Sequence, residues 1–261
     1  MDWNKEFGNE YEKPLDKLAD GISNTAIFRS IAFIGDSLSS GEFETVDSDG
    51  KRHYYDMYEY SWGQYIARKN GLKAYNFSKC AMTAKEYMED FAERKGFWDK
   101  EKACQAYVIA LGVNDLNKQM PIGCKEDIDV TDYKNNKETF MGYYGAIVSK
   151  YKQIQPDAKF FFVTFARTVG NEAHIKMVES HVKAMYDLSE VFENSYVIDL
   201  YKYGPTYDDD FKRRFYLNGH LNSSGYILTA RIIDSYIDYI VRHNPEDFQN
   251  VPFIGTEIKF E

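Results

Sequence analysis

Four short apolar runs, each closed by turn residues and followed by an amphipathic stretch, set the narrowest limit on how this chain folds. Ile31-Ala-Phe-Ile34 stops at Gly35 and Ala106-Tyr-Val-Ile-Ala-Leu111 stops at Gly112. Lys159-Phe-Phe-Phe-Val-Thr-Phe165 and Ser195-Tyr-Val-Ile-Asp199 are the third and fourth. Runs this apolar suit parallel strands buried on both faces. A further short strand, Lys73-Ala-Tyr-Asn76, fits among the helical stretches, which periodicity places at about 61–70, 83–95, 137–154, 171–192 and 222–242. Strands alternating with helices predict an α/β fold of three layers, α/β/α, with right-handed crossovers.

The 261 residues fit one domain, 1–261, with residues 1–30 as an N-terminal extension and 245–261 as a C-terminal tail with strand-like ends. Lys and Arg number 32 against 41 Asp and Glu, a net charge of −9, which argues against a nucleic-acid partner. The same acidity argues against docking on an anionic membrane. Cys80, Cys104 and Cys124 form no CxxC pair and read as free thiols in a reduced compartment. The polar N-terminus lacks the apolar core of a secretory signal, so the expectation is a cytoplasmic protein. A secreted protein whose signal peptide had been removed would present the same N-terminus. Tyrosine is in excess, with 22 residues beside 18 Phe.

In an open parallel sheet, ligands bind beyond the carboxyl ends of the strands. The residues there are Gly35-Asp36-Ser37, Asn76 to Thr83 and Gly112-Val-Asn114-Asp115, each rich in small polar side chains. A serine directly after a strand is usually only a helix N-cap. Ser37 has company in these other blocks and in His220, which lies in Asn218-Gly-His-Leu-Asn222 before a strong helix. His53, His174, His181 and His243 have no motif around them and read as surface or packing residues.

Together, Gly35-Asp-Ser-Leu38, the Gly112-x-Asn-Asp115 block and His220 resemble the GDSL, or SGNH, hydrolase family, from about Ile31 to Arg242. The resemblance implies a flavodoxin-like parallel five-stranded sheet, the SGNH hydrolase fold. It also implies a serine ester hydrolase, an esterase or acylhydrolase, acting through an acyl-enzyme on Ser37 with His220 as base. The oxyanion hole it implies consists of the Ser37 and Ala81 backbone N–H groups and the Asn114 side chain. Preorganised donors aimed at the tetrahedral oxyanion are often the largest single catalytic term in acyl transfer. Neither metal nor organic cofactor is required.

Two positions depart from the family pattern. The acid usually found three residues before the histidine is Leu217 here. The expected substitute is the Leu217 backbone carbonyl, accepting from Nδ1–H, with Asp208, Asp209 or Asp210 as the alternative. The second is Ala81, which stands where the second block carries glycine, and an alignment shifted by one would put Cys80 there. A backbone N–H can come from any non-proline residue, so alanine suffices if its φ is negative. Cys80 itself reads as an inert thiol. Asp36 and Asp115 are expected to hold loop N–H groups rather than to act as catalytic acids, and Asp199 to cap the loop after the last strand.

Tyr54, Tyr58 and Trp62 are the candidate substrate-binding residues, in a segment, Gly41 to Trp62, placed to overhang the site. Tyr201, Tyr203 and Tyr207 are candidates for an opposite wall. Aromatic faces with polar tips suit sugar rings or a small acyl group, so the expected partner is a small-molecule ester, carbohydrate-linked in one version. The competing reading is a catalytically weak or inactive ligand-binding protein on the same fold, motivated by Leu217 and Ala81. A cofactor carrier is disfavoured because no Gly-rich phosphate loop follows the first strand.

Overall fold

The computed structural model describes residues 7–258. Its strands are β1 (Ser30–Gly35), β2 (Glu42–Val46), β3 (Arg52–Asp56), β4 (Lys73–Asn76), β5 (Ala106–Ala110), β6 (Lys159–Val163) and β7 (Ser195–Ile198). A two-residue ladder, β8 (Tyr216–Leu217) with β9 (His220–Leu221), completes them. The central sheet has the order β4-β1-β5-β6-β7, every neighbouring pair parallel. Strand order reverses across β1, so β1 and β5 diverge into a crevice at their carboxyl ends. This is the expected three-layer α/β/α architecture, with each apolar run forming its strand and the last residues of the second, third and fourth runs lying in the loop beyond.

The period of two along each strand divides the core. Ile31 and Phe33 of β1, Val108 of β5 and Phe161 of β6 face the helices Trp62–Asn70 and Ser223–His243. Ala32, Ile34, Tyr107, Ile109, Phe160 and Phe162 face the opposite layer, which includes Phe140–Ile154 and Glu172–Val191. Each of these helices begins where the sequence offers a polar cap. Ser61, Thr139, Asn171 and Asn222 accept from Gln64, Gly142, His174 and Gly225 N–H respectively. The stretch 84–94 is helical with a π-turn over Tyr87–Phe91.

Much of the tyrosine excess is core. Tyr87, Tyr107, Tyr144, Tyr151 and Tyr226 are fully buried, and each hydroxyl has a partner. Tyr87 and Tyr151 share a bond of 2.7 Å, Tyr107 accepts from Cys104 N–H, and Tyr144 donates to the Ile109 carbonyl. Buried tyrosine thus supplies apolar area without an orphaned polar atom.

Gly41 to Trp62, expected only as an overhanging insertion, is mainly the antiparallel hairpin β2–β3. Its turn is built on Asp47, whose Oδ1 accepts from Asp49 and Lys51 N–H. The tail is not strand-like where it is described: Pro245–Phe248 is helical and Val251–Phe253 is a 3₁₀ turn. Arg29 and Gln105 clamp its carbonyls. Residues 259–261 lie outside the described residues. No helix among the described residues is long and apolar enough to cross a membrane.

The N-terminal segment is tied to the body through buried Asp234. Its Oδ1 accepts from Ser23 Oγ (2.7 Å) and Asn70 Nδ2 (2.8 Å), and its Oδ2 lies 2.8 Å from Lys69 Nζ. Replacing one member of a buried charged network strands the others. Asp234→Ala is therefore expected to cost about 3 kcal/mol in urea unfolding. Ser23→Ala, which deletes a neutral donor, should cost about 1 kcal/mol.

Candidate active site

The three motif blocks converge because their strands end side by side. Ser37 opens the short helix Ser37–Ser40, with Asp36 as N-cap accepting from Leu38 N–H. Asp36 Oδ2 also lies 3.3 Å from Asn114 Nδ2, which donates to the Met82 carbonyl at 3.1 Å. Asp115 accepts from Ala84 N–H with both oxygens, at 2.9 and 3.1 Å. The first, second and third blocks are thereby laced together, with Asp36 and Asp115 holding N–H groups. Burial pushes the Asp36 carboxyl up to about 7 and the Asp115 carboxyl up to about 6.

The backbone N–H groups of Ser37 and Ala81 bond to no other protein group among the described residues. They are available as oxyanion donors, whereas the Asn114 amide is shared between Met82 and Asp36. Ala81 differs from expectation in its backbone, since its φ is +58°, in the left-handed region. The turn keeps the conformation that glycine would favour, and the alanine carries the strain. Burial and a hydrogen bond to Glu42 push the Cys80 thiol alongside up to about 12, which disfavours the thiolate.

Gly112 has φ +132°, and a Cβ there would meet the His181 ring at 2.6 Å. His181 is fully buried beneath the third block, stacked on Phe165 at 3.7 Å, with Nε2 3.1 Å from the Leu111 carbonyl. Its Nδ1 has no hydrogen-bond partner among the described residues. Burial pushes this imidazole down to about 4, so it packs as a neutral ring.

His220 stands at the start of β9, and its environment is the main departure from the sequence expectation. Nδ1 lies 3.3 Å from Glu44 Oε2, not on the Leu217 carbonyl. The Leu217 backbone is occupied in the antiparallel ladder with His220. Asp208 instead caps the helix Asp209–Phe215, and Asp210 pairs with Arg213 and Arg214. Asp209 is exposed in that helix's first turn.

Glu44 is buried, and of its two oxygens only Oε2 is hydrogen-bonded among the described residues, Oε1 being held by an ion pair alone. Its Oε2 also accepts from Gly219 N–H at 3.0 Å, and its Oε1 lies 2.8 Å from Arg52 Nη1. Asn218 Nδ2 donates to the Glu44 carbonyl. A Cβ on Gly219 would sit 2.5 Å from Glu44 Oε2, so only glycine admits the carboxylate this closely. For a neutral imidazole the Glu44 contact calls for the proton on Nδ1, since a carboxylate can only accept.

A second buried carboxylate, Glu42, brings Oε1 within 3.1 Å of Nε2. The approach is misaligned, and Oε1 has no hydrogen bond of proper geometry. Ser37 Oγ is not hydrogen-bonded to His220 in this state. Sequence reasoning missed both glutamates. The available signal was the alternation Glu42-Phe-Glu44 in a strand whose buried face is acidic instead of apolar.

Tyr54 is half exposed, its ring edge-on to His220 at 6.0 Å. Tyr58 is partly buried with an unpartnered hydroxyl. Trp62 belongs to the core, its ring edge-on to Phe33 at 5.0 Å, and is not on the open wall. Tyr207 stacks on Phe211, while Tyr203 packs against Tyr236 and Tyr201 donates to Glu179. Asp199 caps Leu200–Tyr203.

Residues 31–233 match the GDSL-like Lipase/Acylhydrolase family, and the chain belongs to that family. It is a hydrolase of the esterase class by that membership. No curated protein sequence matches it. Among solved structures, it is similar to a family two carbohydrate esterase from Clostridium thermocellum in complex with cellohexaose (TM-score 0.57, 15% identity, covering 88% of this chain and 67% of that one). It is also similar to esterase EstA from Pseudoalteromonas sp. (0.54, 15%, 81% and 98%). A family 3 carbohydrate esterase from Clostridium thermocellum gives 0.52 at 14% identity, covering 82% and 97%. At these identities the likeness establishes the shared fold.

Two measurements check the local physics. Ala81→Gly relieves the left-handed alanine and is expected to raise unfolding stability by about 1 kcal/mol. An unchanged or lower value in urea denaturation would contradict that. His181 binds its proton more weakly folded than unfolded, so the unfolded chain holds more protons between pH 6.5 and about 4. Its contribution is complete above that window and drains as pH falls, by roughly 3 kcal/mol at the lower end. In His181→Phe that part of the slope should vanish, whatever the variant's absolute stability.

Proposed function

We propose that the chain is a serine ester hydrolase in which Ser37, His220 and Glu44 act as nucleophile, base and acid. The observation that carries this reading is the Glu44–His220 contact, which fills the role that Leu217 leaves empty. The Leu217 carbonyl is thus replaced in the proposal by a buried carboxylate from β2.

In the first step Ser37 Oγ attacks the ester carbonyl carbon, and His220 Nε2 takes its proton. The carbonyl oxygen becomes an oxyanion facing the Ser37 and Ala81 N–H groups, with Asn114 joining them by turning its amide away from Asp36. Collapse of the tetrahedral intermediate breaks the carbon–alkoxy bond, and His220 returns the proton to the departing alcohol. Water then attacks the acyl-enzyme, gives a proton to His220, and releases the carboxylic acid as Ser37 recovers its proton. Glu44 keeps the tautomer through the cycle, and both glutamates stabilise the imidazolium formed halfway. Nε2 has to move from beside Glu42 to Ser37, a tightening typical of unliganded sites.

The carboxylates Asp36, Glu42, Glu44 and Asp56 ring this edge and disfavour anionic substrates. Half-exposed Tyr54 and Tyr55 on the hairpin, together with these acceptors, suit an alcohol portion rich in hydroxyls. A carbohydrate-linked ester is therefore the proposed substrate class, in keeping with the carbohydrate esterases among the similar folds. The non-catalytic binding reading loses its main support once Nδ1 has an acid.

Ser37→Ala is expected to abolish p-nitrophenyl acetate turnover with an unchanged melting temperature. Glu44→Gln should lower kcat by about 10³-fold with KM within a few-fold, because tautomer control is lost. Full activity in Ser37→Ala would reject the mechanism, and full activity in Glu44→Gln would reject the assignment of the acid.

A further inference from the structure

Beside the nucleophile, on the sheet face covered by the helix Ser223–His243, lies a cavity of about 230 Å³. Its position follows from the chain. Leu38 follows Ser37, Val113 precedes Asn114 and Leu221 follows His220, and all three line it. Asp36, whose carboxylate touches Asn114, lines it as well. The cavity therefore borders the turns that carry Ser37, Asn114 and His220, none of which lines it itself.

Its chemistry is apolar. Trp62, Val163 and Ile233 are buried side chains that form its floor, and Ala166 and Met177 stand partly exposed nearer the outside. The polar groups on its wall are mostly engaged with one another. Thr168 Oγ1 is 2.7 Å from His174 Nε2, Thr164 Oγ1 reaches the Phe165 carbonyl and Asp199, and both Asp36 oxygens have donors. Ser39 Oγ is the buried hydroxyl on this wall without a partner. Asp36 and His174, titratable groups on the wall, are already hydrogen-bonded, and an apolar cavity of this size favours hydrocarbon over a charged headgroup.

We infer that this cavity takes the acyl group of the ester, and that the preferred acyl group is a neutral, medium-length hydrocarbon chain and not acetyl. The inference rests on the Ser37–His220 reading for its chemistry and on the cavity for its chain length. At roughly 30 Å³ per small group, the volume holds a chain of about six to eight carbons. The carbonyl sits over the Ser37 and Ala81 N–H groups, the chain runs down past Leu38 and Val113, and the alcohol faces the β2–β3 hairpin.

Each buried methylene should raise kcat/KM by about fourfold. For p-nitrophenyl esters from acetyl to dodecanoyl, kcat/KM should therefore climb at least 100-fold from acetyl to hexanoyl and fall beyond about octanoyl. Ala166→Phe fills the cavity and should lower the hexanoyl-to-acetyl ratio at least tenfold. Met177→Ala widens it and should move the optimum to longer chains. A profile that is flat or falls from acetyl onward, or a ratio untouched by Ala166→Phe, overturns the inference.

Binding of 2-octanone, a neutral carbonyl with a six-carbon tail, separates the cavity from the catalytic reading. Read by tryptophan fluorescence, wild type and Ser37→Ala should bind it alike and Ala166→Phe at least tenfold more weakly. Retained binding with no Ser37-dependent turnover would reject the hydrolase mechanism alone. No difference between wild type and Ala166→Phe would reject the cavity assignment alone.

Discussion

The contact between Glu44 and the loop that carries His220 organises this candidate active edge. One buried carboxylate lies against the imidazole Nδ1, accepts from the Gly219 N–H and pairs with the Arg52 guanidinium. Those bonds fix a loop from the far end of the sequence against a hairpin that begins only a few residues after Ser37. The desolvation of the carboxylate is offset by hydrogen bonds on Oε2 and by the Arg52 charge beside Oε1. Without it, His220 would sit on a Gly-containing turn with neither tautomer nor orientation imposed.

The same economy runs through the rest of the edge. Asp36 holds the nucleophile turn and reaches the third block, and Asp115 holds the second block to the third. Each motif acid is thus spent on geometry, while the Ser37 and Ala81 N–H groups bond to no other protein group among the described residues. Beneath them, tyrosines with satisfied hydroxyls and the neutral His181 make a stiff floor. Rigidity below and sparsely committed donors above are what electrostatic preorganisation requires.

The sheet was legible in the sequence because strands buried on both faces leave an unmistakable record of apolar residues between turns. Ser37, Asn114 and His220 were legible because they flank strand ends or precede a capped helix. Glu42 and Glu44 were not, since their strand inverts the usual rule and buries its charged face. A period-two pattern of glutamates reads as a solvated edge until the histidine that faces it is known. That partner lies 176 residues away from Glu44 in sequence. Leu217 drew attention to the wrong side of the loop for the same reason. The left-handed backbone of Ala81 was hidden because alanine carries no mark of its conformation, and the tyrosine count suggested walls where most of the fully buried rings serve as core.

The β2–β3 hairpin pairs only with itself as a sheet, and the exposed residues of its turn are held by side-chain bonds to Asp47. Such an element opens locally at lower free energy than the five-stranded core. Opening it would withdraw Glu42, Glu44 and Tyr54 together while leaving Ser37 and the central sheet in place. Warming should therefore silence the chemistry before it melts the molecule, with inactivation reversible as long as the sheet survives.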